Sequence, residues 1–409
     1  MKRFTGFVAF LICLLSCSGN TVSENDFIRV NGKNLVTPDG NTFLLKGTNL
    51  GCWLNPEGYM FGFGLASSAR LIDEMFCELV GPDRTAEFWK RFKDNYITKA
   101  DIEFIASCGA NTIRIPFNYR LFTDEDYMGL TAGQDGFERI DAVVEWCREY
   151  GLYVILDMHD APGGQTGDNI DDSYGYPWLF ESAKSQELFY DIWTRIAEHY
   201  RNETVILGYE LMNEPIAPYF ENMDELNDRF IPICREAAAR IREVDPNHII
   251  ILGAPQWNTN FKPVTDWTFD SKLMLTCHRY GGEAGPDGIR DYIEFRDRTG
   301  LPMYMGEIGH NTFEWQETYS RTMQENNIGY TFWPYKKRDI ECMRAFDVPD
   351  NWDDLIVAFA QSDRQDFAKI RQARPDQDAA WEAMCRFTEN IRFENCHTLD
   401  GYVKSMLLK

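Results

Sequence analysis

The chain has 409 residues, 44% hydrophobic and 26% charged, with a formal net charge of -23 at pH 7. That surplus of acid excludes a nucleic-acid binder, which needs clustered Lys and Arg against phosphate, and disfavours a polyanionic substrate. The length suits one large α/β barrel with long loops, or two smaller domains.

Residues 1–17 read as a processing segment. Lys2 and Arg3 form a short positive start, and Phe4 to Leu15 an apolar core too short to span as a mature helix. The segment ends in Leu14-Leu15-Ser16-Cys17, which resembles a bacterial lipobox. That resemblance implies cleavage before Cys17, a lipid anchor on its sulfur, and export to the outer membrane or cell surface. The alternative is a plain secretory signal, giving a periplasmic or secreted protein. Ser18, not an acidic residue, follows the cysteine, so retention at the inner membrane is not indicated. From Lys33 onward no apolar run is long enough for another span.

Beyond it, short apolar runs rich in β-branched residues alternate with longer helical patterns, the sign of βα units around a parallel sheet. Strands are expected near 43–49, 111–116, 152–158, 205–213, 248–253, 273–280, 302–307 and 329–334. Helices are expected over 84–107, 137–150, 185–201, 224–244, 287–299 and 312–326. In 137–150 the residues Ile140, Val143, Val144 and Cys147 share one face, as in a helix packed on a sheet. Residues 335–376 read as a long polar loop, and a last helix is expected near 377–393. Eight strands make a (β/α)8 TIM barrel the natural closure, a single domain over 18–409. A doubly wound sheet is disfavoured because no G-x-G-x-x-G follows the first strand.

In such a barrel the chemistry sits at the carboxyl ends of the strands. Those ends carry Asn49, Arg114, Asp157 and His159, Asn213 and Glu214, His278 and Tyr280, Glu307, and Trp333. A carboxylate at a buried strand end is costly unless paired. Two facing each other, one protonated and one ionised, are what glycosidic bond cleavage requires.

The remaining features are plainer. Nine cysteines follow Cys17 with no C-x-x-C pair, so zinc is not expected and most read as small buried hydrophobes. The glycine-rich stretch 160–169 lacks the Lys-Ser/Thr of a phosphate loop and reads as a wall of a substrate cleft. Trp53, Glu57, Tyr176, Trp178 and Trp257 are candidate sugar contacts. Asp171-Asp172 has no EF-hand spacing and reads as a solvated loop, not calcium.

Six motifs in order resemble the strand-end motifs of glycoside hydrolase family 5. They are Asn111-Thr112-Ile113-Arg114-Ile115-Pro116, Leu156-Asp157-Met158-His159, Asn213-Glu214-Pro215, His278-Arg279-Tyr280, Gly306-Glu307-Ile308-Gly309 and Phe332-Trp333. The resemblance spans about residues 43–335 and implies a retaining β-glycosidase on an eight-fold barrel. By the match, Glu214 is the acid/base and Glu307 the nucleophile. Arg114, His159, Asn213, His278, Tyr280 and Trp333 become substrate-binding or supporting residues. Asn213 is expected at the sugar 2-hydroxyl, and Trp333 beneath the C–H face of a pyranose. The segment 160–169 is similar to that of the exo-β-1,3-glucanase branch. Gly51-Cys52-Trp53-Leu54 departs from the frequent Gly-Gly-Trp, which is expected to add a side chain near the cleft. The expected partner is a neutral β-linked oligo- or polysaccharide, most simply a β-1,4- or β-1,3-glucan. No metal or other cofactor and no nucleic acid are expected, a membrane only through the anchor, and a monomer. A β-mannanase, a transglycosylase and a non-catalytic glycan-binding lipoprotein remain the alternatives.

Overall fold

The computed structural model describes residues 22–129, 133, 135–338 and 341–409; the lipobox and Cys17 lie outside them. The eight central strands are β1 (Lys46–Asn49), β2 (Thr112–Asn118), β3 (Tyr153–Asp160), β4 (Ile206–Glu210), β5 (Ile249–Leu252), β6 (Leu273–His278), β7 (Met303–Ile308) and β8 (Gly329–Phe332). Each pairs in parallel with its neighbours, and β8 pairs with β1 to close the barrel. All eight strands foreseen from the sequence are present. Their residues are buried almost without exception, because helices cover the outside and side chains fill the inside.

The barrel interior is layered. Leu45, Ile155, Leu207, Ile249, Ile251, Met274 and Tyr304 fill the amino-terminal half. Ile28 and Leu35 join that cluster from a small antiparallel meander, Arg29–Asn31, Asn34–Val36 and Thr42–Phe43, which stoppers this end. Towards the carboxyl ends the filling turns polar, with Arg114, Asp157, Glu210 and Glu307. Apolar packing below and charge above leave one chemically active mouth.

One irregularity decides which way Glu307 points. On β7 the register with β6 runs through Met305↔Cys277 and then jumps to Glu307↔His278, leaving Gly306 unpaired. Tyr304 belongs to the interior cluster and Met305 to the outer core. Strict alternation would send Glu307 outward with Met305; the bulge returns it to the mouth.

Most of the helical shell matches expectation: Asp135–Tyr150, Ala183–Tyr200, Met223–Val244, Arg290–Thr299, Phe313–Glu325 and Gln377–Asn390. The expected helix 84–107 is two, Pro82–Tyr96 and Lys99–Ser107. Ile97 is extended, and Thr98 opens the second helix with a capping box in which its backbone N–H and hydroxyl donate to Asp101 Oδ2 at 2.8 and 2.7 Å. The helix Ala69–Val80 was not foreseen.

Nor is 335–376 a loop. It carries the short strands Lys336–Lys337 and Arg344–Ala345, a π-helical turn Asp353–Val357, and helices Ala358–Ala360 and Phe367–Ala373. Trp352 is fully buried and stacks on Phe387 with ring centroids 4.3 Å apart. Its apolar residues are too widely spaced to show a period, yet Trp352, Ile356 and Phe359 are buried, while Phe367 stays exposed. Among the described residues no helix is long and apolar enough to cross a membrane.

Candidate active site

Arg114, fully buried on β2, organises the base of the mouth. Its Nη1 donates to Glu307 Oε1 at 2.8 Å and to Asn49 Oδ1 at 2.9 Å. Its Nη2 donates to Glu210 Oε1 at 2.7 Å and Asn213 Oδ1 at 2.9 Å, and lies 3.0 Å from Asp157 Oδ2. One guanidinium thus serves three carboxylates, the planar fork that Arg offers and Lys does not. The Tyr280 hydroxyl donates to the other Glu307 oxygen at 2.5 Å.

Glu214 stands just past β4 on left-handed backbone, φ 43°. The glycine-rich loop holds that backbone in place. Thr166 Oγ1 donates to the Glu214 carbonyl, Gln165 Nε2 to the Asn213 carbonyl, and the Ile216 N–H to the Gln165 carbonyl, each at 2.8 Å. The Glu214 carboxylate meets His278 Nδ1 through Oε1 at 2.8 Å. One oxygen of Glu214, one of Glu307 and one nitrogen of His278 all lie within 4.8 Å of one another. Three such groups can hold a metal. Here both Glu307 oxygens already accept from Arg114 and Tyr280, and the guanidinium cation would repel a dication.

The two acids are pushed in opposite directions. Burial opposes ionisation of Glu307, but His278, Arg114, His159 and the Tyr280 hydroxyl outweigh it and bring the pKa down to about 2. Burial dominates at Glu214 and, with the Glu307 charge, raises its pKa despite the bond from His278. Burial also opposes a charge on His159, yet Asp157, 2.7 Å from its Nδ1, and Glu57 push the imidazole up to about 10. Burial likewise opposes protonation of His278, where Glu307 and Glu214 win and move it upward.

A cavity of about 300 Å³ opens over these groups, lined by His159, Asn213, Glu214, Tyr280, Glu307 and Trp333 together with Glu57, Tyr59, Asn169, Ile170 and His310. Trp333 forms one wall, stacked on His159 with centroids 5.2 Å apart and donating through Nε1 to the Tyr59 hydroxyl at 2.6 Å. A Cβ at Gly51 would meet its ring at 2.8 Å, so glycine is required there. A second cavity of about 570 Å³ shares Glu214 and Tyr280 and adds Trp257, Thr259, His278, Arg279, Asp291 and Tyr292. Glu214 stands between the two.

The profile of Cellulase (glycosyl hydrolase family 5) matches residues 78–339. The chain belongs to glycosyl hydrolase family 5. The β-xylosidase of Phanerodontia chrysosporium is 31% identical over 69% of this chain, which spans 61% of that relative's length. Endoglucanase C of Acetivibrio thermocellus is 27% identical over 62% of this chain and 88% of its own. The crystal structure of an endogalactoceramidase, 17% identical, overlays with a TM-score of 0.60, covering 93% of this chain and 84% of that one; it supports the fold.

Against this family 5 background several expectations need correction. Cys52 adds no side chain to the cleft: it is buried, on left-handed backbone with φ 68° that a glycine would hold with less strain. Trp53 is also buried, donating to the Lys93 carbonyl at 2.9 Å outside the cleft, so it is no sugar contact. Tyr176 and Trp178 pack against each other with their rings tilted by 57°, and neither lines either cavity. Asp171 and Asp172 are buried, not solvated. Asp171 Oδ2 accepts the Thr166 and Gly167 N–H groups at 2.7 and 3.0 Å, and Asp172 Oδ1 the Arg70 N–H at 2.7 Å. They are loop ties. Six of the nine cysteines are buried, as expected.

Three members of the site were missed. Glu210 faces the barrel interior, where only register could place it. Tyr59 reaches the mouth from the segment after β1. His310, at φ 49° beyond β7, is held by Glu341 Oε2 at 2.7 Å.

Proposed function

We propose that this family 5 chain is an exported retaining β-glycosidase that hydrolyses a neutral β-glucan, β-1,4- or β-1,3-linked, by double displacement. Glu307, ionised, attacks the anomeric carbon while Glu214 gives its proton to the departing glycosidic oxygen. In the second step Glu214 takes a proton from water, and the hydroxide oxygen displaces Glu307 from the sugar. The carrying observation is the short approach of a buried Glu307 and a partly buried Glu214 whose protonation is driven apart. Retaining enzymes keep their acids roughly 5–5.5 Å apart, whereas inverting ones need roughly 6.5–9.5 Å for a water.

Loss of the Glu307 charge in the intermediate removes a repulsion that favoured the proton on Glu214, and so lets it act as a base. The 300 Å³ cavity takes the glycone against Trp333, with Asn213 near the 2-hydroxyl, and the 570 Å³ cavity takes the leaving portion. Each catalytic step is carried by side chains alone. The lipobox-like segment supports anchoring through Cys17 at the outer membrane or cell surface, with the enzyme acting as a monomer.

Product analysis on β-1,3-, β-1,4- and mixed-linkage glucans and on mannan tests the reading. Soluble oligosaccharides from a glucan, lost in Glu307→Gln, are expected. Release from mannan alone would move the assignment to a mannanase, oligomers longer than the substrate to a transglycosylase, and binding without turnover to a glycan-binding lipoprotein. Metabolic labelling with palmitate, lost in Cys17→Ser, tests the anchor.

A further inference from the structure

Gln256, Trp257 and Asn258, just after β5, are consecutive non-glycine residues with φ of 55°, 59° and 58°. Each Cβ in this region crowds the following carbonyl, so such a run persists only where its surroundings hold it. The fully buried Asn258 side chain shows what is being held. Its Oδ1 accepts the Ala254 N–H at 3.0 Å, and its Nδ2 lies 3.2 Å from His278 Nε2. Two glycines clear the space. A Cβ at Gly253 would fall 2.0 Å from Asn258 Oδ1, and one at Gly306 would fall 2.9 Å from His278 Nε2.

The proton positions follow from donor and acceptor chemistry. The Ala254 N–H can only donate, so the atom facing it is the amide oxygen, and the amide nitrogen must face His278. That nitrogen can only donate, so Nε2 must accept and carries no proton. The imidazole proton therefore sits on Nδ1, 2.8 Å from Glu214 Oε1 and 3.6 Å from Glu307 Oε2.

We propose that Asn258 is a positioning residue for the acid: it fixes His278 as the neutral Nδ1–H tautomer, so the transferable proton of Glu214 is confined to Oε2. This rests on the reading of Glu214 as acid/base. The groups around the ring divide. Glu214, Glu307 and, deeper, Glu210 favour an imidazolium, Arg114 opposes it, and the Tyr292 hydroxyl donates only to the His278 carbonyl at 3.4 Å. An imidazolium would hold Glu214 ionised, with nothing to donate. Against the upward push of those carboxylates, Asn258 disfavours the second proton by placing a donor 3.2 Å from the nitrogen that would carry it. The strained turn is thus the cost of one amide reaching one imidazole nitrogen.

The test uses the whole protein labelled with 15N-histidine, His278 being assigned by difference from His278→Gln. At neutral pH the wild type should show His278 with a pyrrole-type Nδ1 and a pyridine-type Nε2. Asn258→Asp keeps an acceptor for Ala254 but puts an oxygen opposite Nε2, so His278 should become doubly protonated. The alkaline limb of kcat/KM on an unactivated β-glucoside should then fall by about one pH unit, a ~10-fold loss above that limb. A dinitrophenyl glycoside, needing little protonation, should be cleaved nearly as before. An imidazolium or an Nε2-protonated ring in the wild type, or an unmoved limb in a folded Asn258→Asp, overturns the proposal whether or not other variants fold. The expected tautomer in a wild type that cleaves no β-glycoside would instead sink the acid/base reading, and the role of Asn258 with it.

Discussion

The Tyr280 hydroxyl donates to Glu307 Oε2 at 2.5 Å, while the opposite oxygen of the same carboxylate accepts from Arg114. Glu307, buried at the mouth of the barrel, is thereby held ionised with its charge fixed in direction. Phenylalanine at position 280 removes that donor without changing the ring. The Glu307 pKa should rise from about 2, and the acid limb of kcat/KM should move to higher pH, because activity needs the ionised form. Losing one preorganised donor typically costs roughly 10²-fold or more in kcat. Steady-state rates of Tyr280→Phe from pH 3 to pH 8 check both expectations.

Replacing Glu214 by Gln removes the proton donor and keeps its shape. Cleavage of natural β-glucan should fall by about 10²–10⁴-fold, the usual range for general acid catalysis. The first step on a dinitrophenyl glycoside should be largely spared, since that leaving group needs little protonation. Pre-steady-state bursts of dinitrophenolate separate the two steps.

Arg114 is structural as well as functional. Alanine there leaves Glu210 and Asp157 buried without their cation, and breaking such a pair costs about 3–5 kcal/mol. Thermal or urea unfolding of Arg114→Ala should show that loss. Asn49→Ala gives up the bond from the same guanidinium and two more, from Nδ2 to the Gly306 and Phe332 carbonyls at 3.1 Å each, and should cost about 3 kcal/mol.

The depressed pKa of Glu307 also has a stability consequence with a definite sign. Its folded value, about 2, lies below the ordinary 4.5, so its contribution is fully present above the ordinary value and lost as pH falls through about 2. Glu214, raised in the fold, acts oppositely: its contribution is present below its unfolded pKa and fades as pH rises through the folded one. Unfolding free energy should therefore depend less steeply on pH between about 4.5 and 2 in Glu307→Gln than in the wild type.

The barrel was legible because its strands are buried on both faces and read as short apolar runs, seven of the eight carrying a candidate residue at or just past the mouth end. Position alone then selected Arg114, His159, Asn213, Glu214, His278, Tyr280, Glu307 and Trp333, and the fold brings them around one cavity or directly beneath it. What stayed hidden depends on register and on contacts across the chain. Glu210 and Glu307 both point inward, yet only the pairing irregularity at Gly306 explains why Glu307 does. Trp53 has the composition of a sugar platform, but its neighbours turn it into the outer core. The break at Ile97 was signalled by Thr98 and Asp101, a capping box inside a continuous helical pattern. The left-handed turn at Gln256–Asn258 carries no glycine, so nothing in the local sequence announces it.

The most direct measurement is covalent trapping. A 2-deoxy-2-fluoro-β-glucosyl fluoride slows both steps but the second more, so a glycosyl-enzyme should accumulate. Mass spectrometry of the digested protein should place a single fluoroglucosyl adduct on Glu307, and NMR of a natural substrate should show the β-anomer released first. An adduct on any other residue, or first release of the α-anomer, would contradict attack by Glu307 on the anomeric carbon.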